Sequence, residues 1–596
     1  MKILNENKYF AGIIVFYFIL CVGYYLGSDL GLFPDENPHL GYVLDVAKYG
    51  FPDYATGMIY DAHKLNSLEH PALYYMLVGG VKKIALTFNL DLYKSLRFVN
   101  IFISTLTIAT IYLSLKEFGV KKIQIALSLL ILLSIPMFIL LSASINNDPL
   151  NFLGCALIFL GLAKYYNNAQ LDKVVLYFIL GGIIVSLTKA TGALSVICII
   201  FTFVIIENNR LKIKLPEISF KYMALIALSL ILIITYYLFT FIKFGKMFPA
   251  PQGDPSDWYK LANPNAHRFT VSEQLIAFYQ SNLLTLITPY GHKTFYDLEI
   301  RENLLKLLFF LFSFITVLFT LKNIKNRSNS NEARFNFVCV FSFLIFMFFY
   351  FITIHKMNLK TGYPGAMQAR YFFGFLPAFI IISALNYQKI RIKILKATLI
   401  FLIFLTSMLS IYPAYQPIAS VLLSPSYGQI WSDTVVGELT KDRAFEQTFT
   451  SQYNNLGKVD LYMATYSRIN SGVVILEVED GFGRIRGSST LNLADIRDNS
   501  WTTFDFGNIP LIKGEKYKFR LTSQSSTSGN AITWYACSGK YQFPMFAGTP
   551  FGPSEKISDR YTGGQSYIDG KKVDTIFTFK IYGENWLATH KNNILN

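Results

Sequence analysis

Two adjacent carboxylates and an imidazole, Asp35, Glu36 and His39, stand in the run Phe33-Pro34-Asp35-Glu36-Asn37-Pro38-His39 directly after the first long apolar stretch of the chain. A carboxylate within hydrogen-bond reach of a hydroxyl can take its proton as the oxygen attacks an electrophile, which is general-base chemistry. Asn37 can cap a helix and Pro38 suits a first turn, so the acidic pair is expected just ahead of a helix N-terminus. Leu40, Val43, Leu44 and Ala47 then recur at i, i+3, i+4 and i+7, the spacing of an amphipathic helix on a surface. Glu69-His70-Pro71 repeats the arrangement before an apolar run towards Ile84, with Tyr74 and Tyr75 suited to the headgroup level. A plainer explanation stands beside this one: the helix dipole alone favours an acid at an N-terminus.

Further along, Asp148 lies in Ser144-Ile145-Asn146-Asn147-Asp148-Pro149 and Lys189 in Thr188-Lys189-Ala190-Thr191-Gly192. His267-Arg268, Tyr290-Gly291-His292-Lys293 and Gln368-Ala369-Arg370-Tyr371 follow. Cations and helix N-termini at one depth are what a departing phosphate needs. The bland alternatives are a plain cap at Asp148 and snorkelling at Lys189. Cys21, Cys155, Cys198 and Cys339 fall in apolar runs and Cys537 stands alone, so neither a disulfide framework nor a thiolate metal cluster is expected.

The elements that must position these groups are membrane spans. The chain has 596 residues, 52% hydrophobic and only 15% charged, a balance unlike that of a soluble enzyme or a disordered chain. Apolar stretches of roughly 20 residues, the length a hydrocarbon core requires, recur about eleven times. They begin near Tyr9, Leu96, Ile123, Leu150, Val174, Gly192, Tyr222, Leu304, Phe335, Tyr371 and Ala397. Lys and Arg collect in alternate loops, among them Lys116, Lys121, Lys122, Lys164, Lys173, Arg334, Lys389 and Lys393. By the positive-inside rule these loops and the N-terminus are cytoplasmic, and the acidic and histidine-bearing loops face outside. Topology thus accounts for the formal net charge of +16 without a nucleic-acid partner. The basic and apolar start resembles a signal peptide, but it lacks a small-x-small site before Ser28 and reads as an uncleaved first helix.

After Tyr412 the composition shifts to short alternating runs: Val474, Leu476, Val478; Tyr517, Phe519, Leu521; Phe577, Phe579, Ile581. This spacing predicts a β-sandwich of the jelly-roll or carbohydrate-binding kind. The expected organisation is a membrane domain over 1–415, a linker over 416–430 and an extracytoplasmic sandwich over 431–596.

Asp35-Glu36 after the first span, His70-Pro71-Ala72-Leu73-Tyr74-Tyr75, Asn146-Asn147-Asp148 after the third and Gln368-Ala369-Arg370-Tyr371 before a late span together resemble the GT-C superfamily. These are multi-span α-helical glycosyltransferases that use polyprenyl-phosphate sugars, including protein O-mannosyltransferases and the aminoarabinose transferases of lipid A. The resemblance covers about the first 410 residues. It implies an inverting transferase of the plasma (inner) membrane, with a polyprenyl-phosphate-sugar donor and a glycan, lipid or protein acceptor. Asp35 would be the general base, Glu36 its neighbour or a metal ligand, and Asp148 a second acid binding acceptor or metal. Arg370 and Lys189 would hold the donor phosphate. His39 and His70 would shape the pocket, and Glu69, Arg268, His292, Gln368 and Tyr371 are further candidates for substrate binding. A divalent metal ion is left open, because Ala72 replaces a proline found in many relatives and Asn146-Asn147-Asp148 lacks a second acidic pair. Two other classes compete: a transporter or flippase of lipid-linked sugars, and a polysaccharide polymerase or ligase.

Overall fold

Each apolar stretch read as a span forms a helix. The computed structural model describes residues 8–27, 33, 35–50, 70–88, 90, 92–167, 169–208, 219–248, 256, 259–260, 265–287, 299–325, 330–415, 426–429, 432, 434–537 and 561–583. The helices are α1 Lys8–Gly27, α2 Glu36–Tyr49, α3 Leu73–Thr87, α4 Leu92–Glu117, α5 Lys122–Leu133, α6 Pro136–Ser142, α7 Asp148–Tyr166 and α8 Leu171–Ser186. They continue with α9 Ala190–Asn208, α10 Phe220–Phe244, α11 Val271–Ile287, α12 Glu299–Lys325, α13 Asn331–Thr361, α14 Leu376–Lys389 and α15 Lys393–Leu409, with a 3-10 turn Ala369–Phe375 leading into α14. Among the described residues, 9 helical stretches are long and apolar enough to cross a membrane, and the pair α5 and α6, bent by 78°, makes up to 10. Pro136 explains that break: it removes an amide donor and pushes Ile135 into an extended conformation. The carbonyl of Ser134, freed at the bend, accepts from the fully buried Arg301 at 3.1 Å.

The remaining expected span, α8, is short at 16 residues, about 24 Å of helix. Its two ends nevertheless reach opposite polar ends of the bundle. Before it, Lys164 pairs with Glu117 at the end of α4 at 2.5 Å. After it, the Thr188 carbonyl accepts from the Asn147 amide at 3.1 Å, beside the start of α7. Close packing against α7 keeps it in place, since a Cβ on Gly181 would lie 2.5 Å from the Gly154 carbonyl oxygen. Gly181→Leu is expected to pry the two helices apart and to cost at least the roughly 1–3 kcal/mol typical of overpacking, read as a lower Tm of the purified protein. A Tm unchanged from wild type would show the contact to be slack.

Of the two helices expected to lie on the surface, α3 keeps an exposed apolar face at Met76, Leu77 and Ile84, whereas α2 is enclosed. Leu40, Tyr42, Val43, Leu44 and Val46 of α2 and Tyr74, Tyr75 and Val78 of α3 are buried. Tyr42 and Tyr75 stack with ring centroids 3.6 Å apart. An amphipathic period marks which face is apolar; it does not reveal that other elements cover the opposite face as well. The cap also sits earlier than expected: Asp35 is the N-cap, in the left-handed region at φ 55°, ψ 18°, and Glu36 occupies the first turn.

The C-terminal region is a sandwich of two antiparallel sheets. Its strands are β1 Ser426–Gln429, β2 Thr434–Val435, β3 Ala444–Thr450, β4 Asn455–Ala464, β5 Val473–Asp480, β6 Ile485–Asn492 and β7 Ser500–Pro510, then β8 Lys516–Ser523, β9 Thr533–Cys537, β10 Ser566–Ile568, β11 Lys571–Val573, β12 Ile576–Phe577 and β13 Phe579–Tyr582. One sheet runs β1-β13-β4-β9-β12, with β2 on β9 and β7 on β4; the other runs β11-β10-β3-β8-β5-β6. Val474, Leu476, Val478, Tyr517, Phe519, Leu521, Phe577, Phe579 and Ile581 all point into the shared core around Trp534. The sandwich starts before residue 431. β1, inside the stretch read as a linker, pairs with β13 through Ser426↔Tyr582 to Gln429↔Phe579. Ser-Tyr-Gly-Gln carries no apolar alternation; main-chain pairing, the packing of Tyr427 on the core and the Tyr561 amide donating to the buried Gln429 side chain at 2.7 Å make it a strand.

Candidate functional site

Four segments distant in sequence meet at one end of the helix bundle. Asp35, ahead of α2, forms an ion pair with Arg370 of the 3-10 turn. Arg370 also reaches Asp148 at the start of α7, with Nη1 3.9 Å from Oδ2. The other Asp148 oxygen receives the Lys189 ammonium, from the α8–α9 junction, at 2.5 Å. Asp148, Lys189 and Arg370 are buried, whereas the Asp35 side chain is 38% exposed and so is the member that solvent or a substrate can reach. Arg370 Nε and Asp148 Oδ2 are buried without a hydrogen-bond partner among the described residues, leaving polar capacity aimed into the site. Lys189 also lies over the Tyr371 ring, 5.1 Å from its centroid. Burial lowers the Lys189 ammonium from its ordinary value, and the Asp148 carboxylate opposes that shift.

Glu36 has a different environment from its neighbour. Its two oxygens accept from Arg97 Nε at 2.7 Å and Nη2 at 2.8 Å, a bidentate pair closed off from water. One of them also accepts the Ile145 amide at 3.1 Å. One residue therefore ties α2 to the start of α4 and to the loop before α7. Asn100, one turn beyond Arg97, donates to the carbonyls of Ser144 and Asn146 at 2.6 and 2.7 Å, and the Asn146 side chain accepts the Asp148 amide at 2.9 Å. Asp148 is thus held by its own loop before any cation reaches it.

Beneath the charged group His39 and Tyr75 share a 2.7 Å hydrogen bond, and the His39 and His70 rings stack at 5.8 Å. Burial pushes His39 well below its usual value, aided by His70; burial and the Lys189 charge push His70 down to about 3. Both are neutral near pH 7. A histidine whose folded value is depressed adds nothing to pH dependence above its unfolded value near 6.5, and its stabilising share is lost as pH falls from there towards the folded value. At pH 5 each ring is therefore expected to cost up to about 2 kcal/mol, so the wild-type Tm drops on acidification. The doubly substituted His39→Gln, His70→Gln protein should show a shallower decline between pH 7 and 5, measured in detergent; equal slopes would discount both rings.

The turn holding Arg370 rests on α11. The Thr285 hydroxyl accepts the Ala369 amide at 2.8 Å, and the Gln274 amide group lies 3.1 Å from the Met367 sulfur. Gln368 immediately precedes that turn and its carbonyl accepts the Tyr371 amide. Arg268 is placed elsewhere, donating to the Ala266 carbonyl and packing on Gly362 at the C-terminus of α13. Thr270 and Glu273 fix that loop as a capping box, the carboxylate accepting the Thr270 amide at 2.8 Å. Glu69 and His292 lie outside the described residues. Sequence reasoning missed Arg97, Asn100 and Thr285. Arg97 carried a readable signal, a lone ionisable residue inside an apolar span, which such a position rarely holds without a partner.

A resident divalent cation does not fit this donor set. Among the described residues no group of three or more His, Cys, Asp or Glu could hold one, and Lys189 and Arg370 already take one oxygen each of Asp148 and Asp35.

The fold is that of a polytopic helical membrane protein carrying a β-sandwich. No protein-family model matches the sequence, nor does any curated protein. Among solved structures the chain is similar to ArnT from Cupriavidus metallidurans in the apo state, at 12% identity and a TM-score of 0.39, over 64% of this chain and 60% of that one. It is also similar to the Archaeoglobus fulgidus oligosaccharyltransferase in the apo form, at 14% identity and a TM-score of 0.36, over 69% and 55%. The same organism's AglB, in complex with an inhibitory peptide and a dolichol-phosphate, matches at 13% identity and 0.34 over 70% and 56%. The chain spans less than two thirds of the length of each.

Proposed function

We propose that this protein is an inverting glycosyltransferase that moves a sugar from a polyprenyl-phosphate donor to a hydroxyl of a cell-envelope glycan, lipid or protein at the outer face of the plasma membrane. The observation that carries the reading is the meeting of Asp35, Asp148, Lys189 and Arg370 at one end of the bundle, with only Asp35 open to an acceptor. In the proposed reaction the acceptor oxygen attacks the anomeric carbon from the face opposite the phosphate. Its proton passes to Asp35, the carbon–oxygen bond to phosphate breaks, and the electron pair stays on a phosphate held by Arg370 and Lys189. Because Asp35 is paired with Arg370, the arriving phosphate takes the guanidinium and leaves the carboxylate free to act as a base. Asp148 keeps both cations oriented, and Glu36 acts through Arg97 to position Asp35.

The opposite end of the bundle carries Lys116, Lys121, Lys122, Lys164, Lys173, Arg334, Lys389 and Lys393, which supports a cytoplasmic assignment for it and an outward-facing site. A transporter would be expected to hold its polar groups near the middle of the spans, whereas these gather at the helix ends. The test is a transfer assay in proteoliposomes with labelled polyprenyl-phosphate sugars and envelope extracts as acceptor, with product configuration read by NMR. A product of inverted configuration is expected. Movement of the lipid-linked sugar across the bilayer without transfer would overturn the proposal.

A further inference from the structure

Arg370 stands at the end of a strap, residues 362–368, that runs from α13 to the 3-10 turn. The strap belongs to no helix or strand, so side chains must fix its course. At its start the Asn358 amide group donates to the Tyr363 carbonyl at 3.2 Å, while the Asn358 oxygen accepts the Phe269 amide at 2.8 Å. Further on, the Tyr350 hydroxyl donates to the Ala366 carbonyl at 2.7 Å, and Ala366 is held in the left-handed region at φ 59°, which an L-residue adopts only at a cost. Tyr350 then packs on Tyr371, next to Arg370, with ring centroids 5.7 Å apart. A displacement of the strap is therefore passed on to the guanidinium.

One side chain of the strap meets another loop. Gly365 lets the Tyr363 ring fold back along its own chain, because a Cβ at residue 365 would overlap Cζ and the hydroxyl oxygen of that ring. Folded so, Tyr363 meets Tyr259, from the α10–α11 loop, edge to face, with centroids 5.4 Å apart and planes at 60°. Tyr259 is enclosed from its other side in turn. Burial raises its phenol above the ordinary value, with the Arg468 and Arg268 charges opposing that shift and Asp498 adding to it, so the β4–β5 end of the sandwich lies beside it. Arg468 and Asp498 are themselves anchored: Arg468 pairs with Glu438 at 2.7 Å, and Asp498 accepts the Thr465 amide at 2.6 Å.

We propose that Tyr259 and Tyr363 form a brace that fixes the strap, and that Tyr363 is thereby a positioning residue for Arg370, holding the guanidinium where a phosphate can take it. Hydrogen bonds pin the strap by its carbonyls; the aromatic pair adds a side-chain contact, and edge-on ring pairs contribute beyond the area they bury. Both tyrosines act through the strap and not on the reacting atoms. The inference rests on the phosphate-holding role proposed for Arg370 and not on which sugar or acceptor is used.

The test measures binding of a fluorescent polyprenyl phosphate to the full chain in nanodiscs. Tyr259→Leu, Tyr363→Leu and Gly365→Ala are each expected to weaken binding roughly 2–10-fold, the span an aromatic pair supplies, with the Tm held. The double variant Tyr259→Leu, Tyr363→Leu should bind no worse than either single one, since the same contact can be lost only once. Tyr363→Phe keeps the ring and should bind like wild type. Wild-type affinity in all the single leucine and alanine variants overturns the proposal, as do additive losses in the double variant. A loss in Tyr363→Phe equal to that in Tyr363→Leu overturns it too, because the hydroxyl would then do the holding. Arg370→Gln separates this inference from the reading beneath it. Unchanged binding there refutes the phosphate role and the brace's purpose with it, whereas weakened binding there beside wild-type binding in the brace variants refutes the brace alone. Should the strap variants fail to accumulate, Tyr259→Leu, at a half-buried loop residue, carries the same test.

Discussion

Asp35→Asn is expected to lower kcat for sugar transfer by roughly 10²–10⁴-fold, the range for removing a positioned general base, while the protein accumulates and melts like wild type. Asparagine is the informative replacement. Asp35 sits at φ 55°, ψ 18°, and Asn tolerates that left-handed conformation, whereas a larger apolar side chain would add backbone strain of order 1–3 kcal/mol. The direction of the KM change discriminates further. Asp35 competes with the donor phosphate for Arg370, so removing its charge releases the guanidinium, and the KM for donor should fall or hold while kcat collapses. Arg370→Gln should do the reverse for binding, raising the donor KM. Kinetics with a fixed acceptor and varied donor check both. Retention of wild-type kcat by Asp35→Asn would remove the assigned base. A rise in donor KM with kcat intact would recast Asp35 as a binding group.

The site's charged residues were legible because each stands at the end of an apolar run, where a count of crossings assigns it to a face without knowledge of its neighbours. Asp35, Asp148, Lys189 and Arg370 all follow from that parity. What parity could not supply is pairing. Nothing at Lys189 itself names Asp148, 41 residues earlier, as its partner, or at Arg370 names Asp35. Nor could it separate Asp35 from Glu36, adjacent and alike in type, yet one open to solvent and the other sealed against Arg97. The sandwich was legible from period-2 alternation, which is missing in β1, a short polar strand, and in β9, which is buried on both faces. The enclosure of α2 was illegible for a related reason: burial by neighbouring elements leaves no trace in a helix's own period. Tyr75, read as an interfacial aromatic, proves to stack on Tyr42 under the site.

The contact between Glu36 and Arg97 is expected to matter most for stability. Both side chains are sealed from water, with Glu36 at 0% and Arg97 at 4% exposure, and the Phe33 ring lies 4.7 Å from the guanidinium carbon. Removing one member of such a pair strands the other charge in a dry interior, which costs roughly 3–5 kcal/mol, whereas replacing both by apolar groups of similar volume is often near neutral. Glu36→Gln and Arg97→Met are therefore each expected to reduce yield and Tm strongly. The double variant Glu36→Leu, Arg97→Met should recover most of the Tm but not the Ile145 contact, since leucine cannot accept that amide. Thermal melting by intrinsic fluorescence, with transfer kinetics on the same preparations, separates the two roles. A stable double variant with low kcat would mark the pair as the device that holds Asp35 in register with Arg370. A stable double variant with full activity would reduce it to a packing element, and single variants that melt like wild type would mean the pair is not sealed in the folded protein.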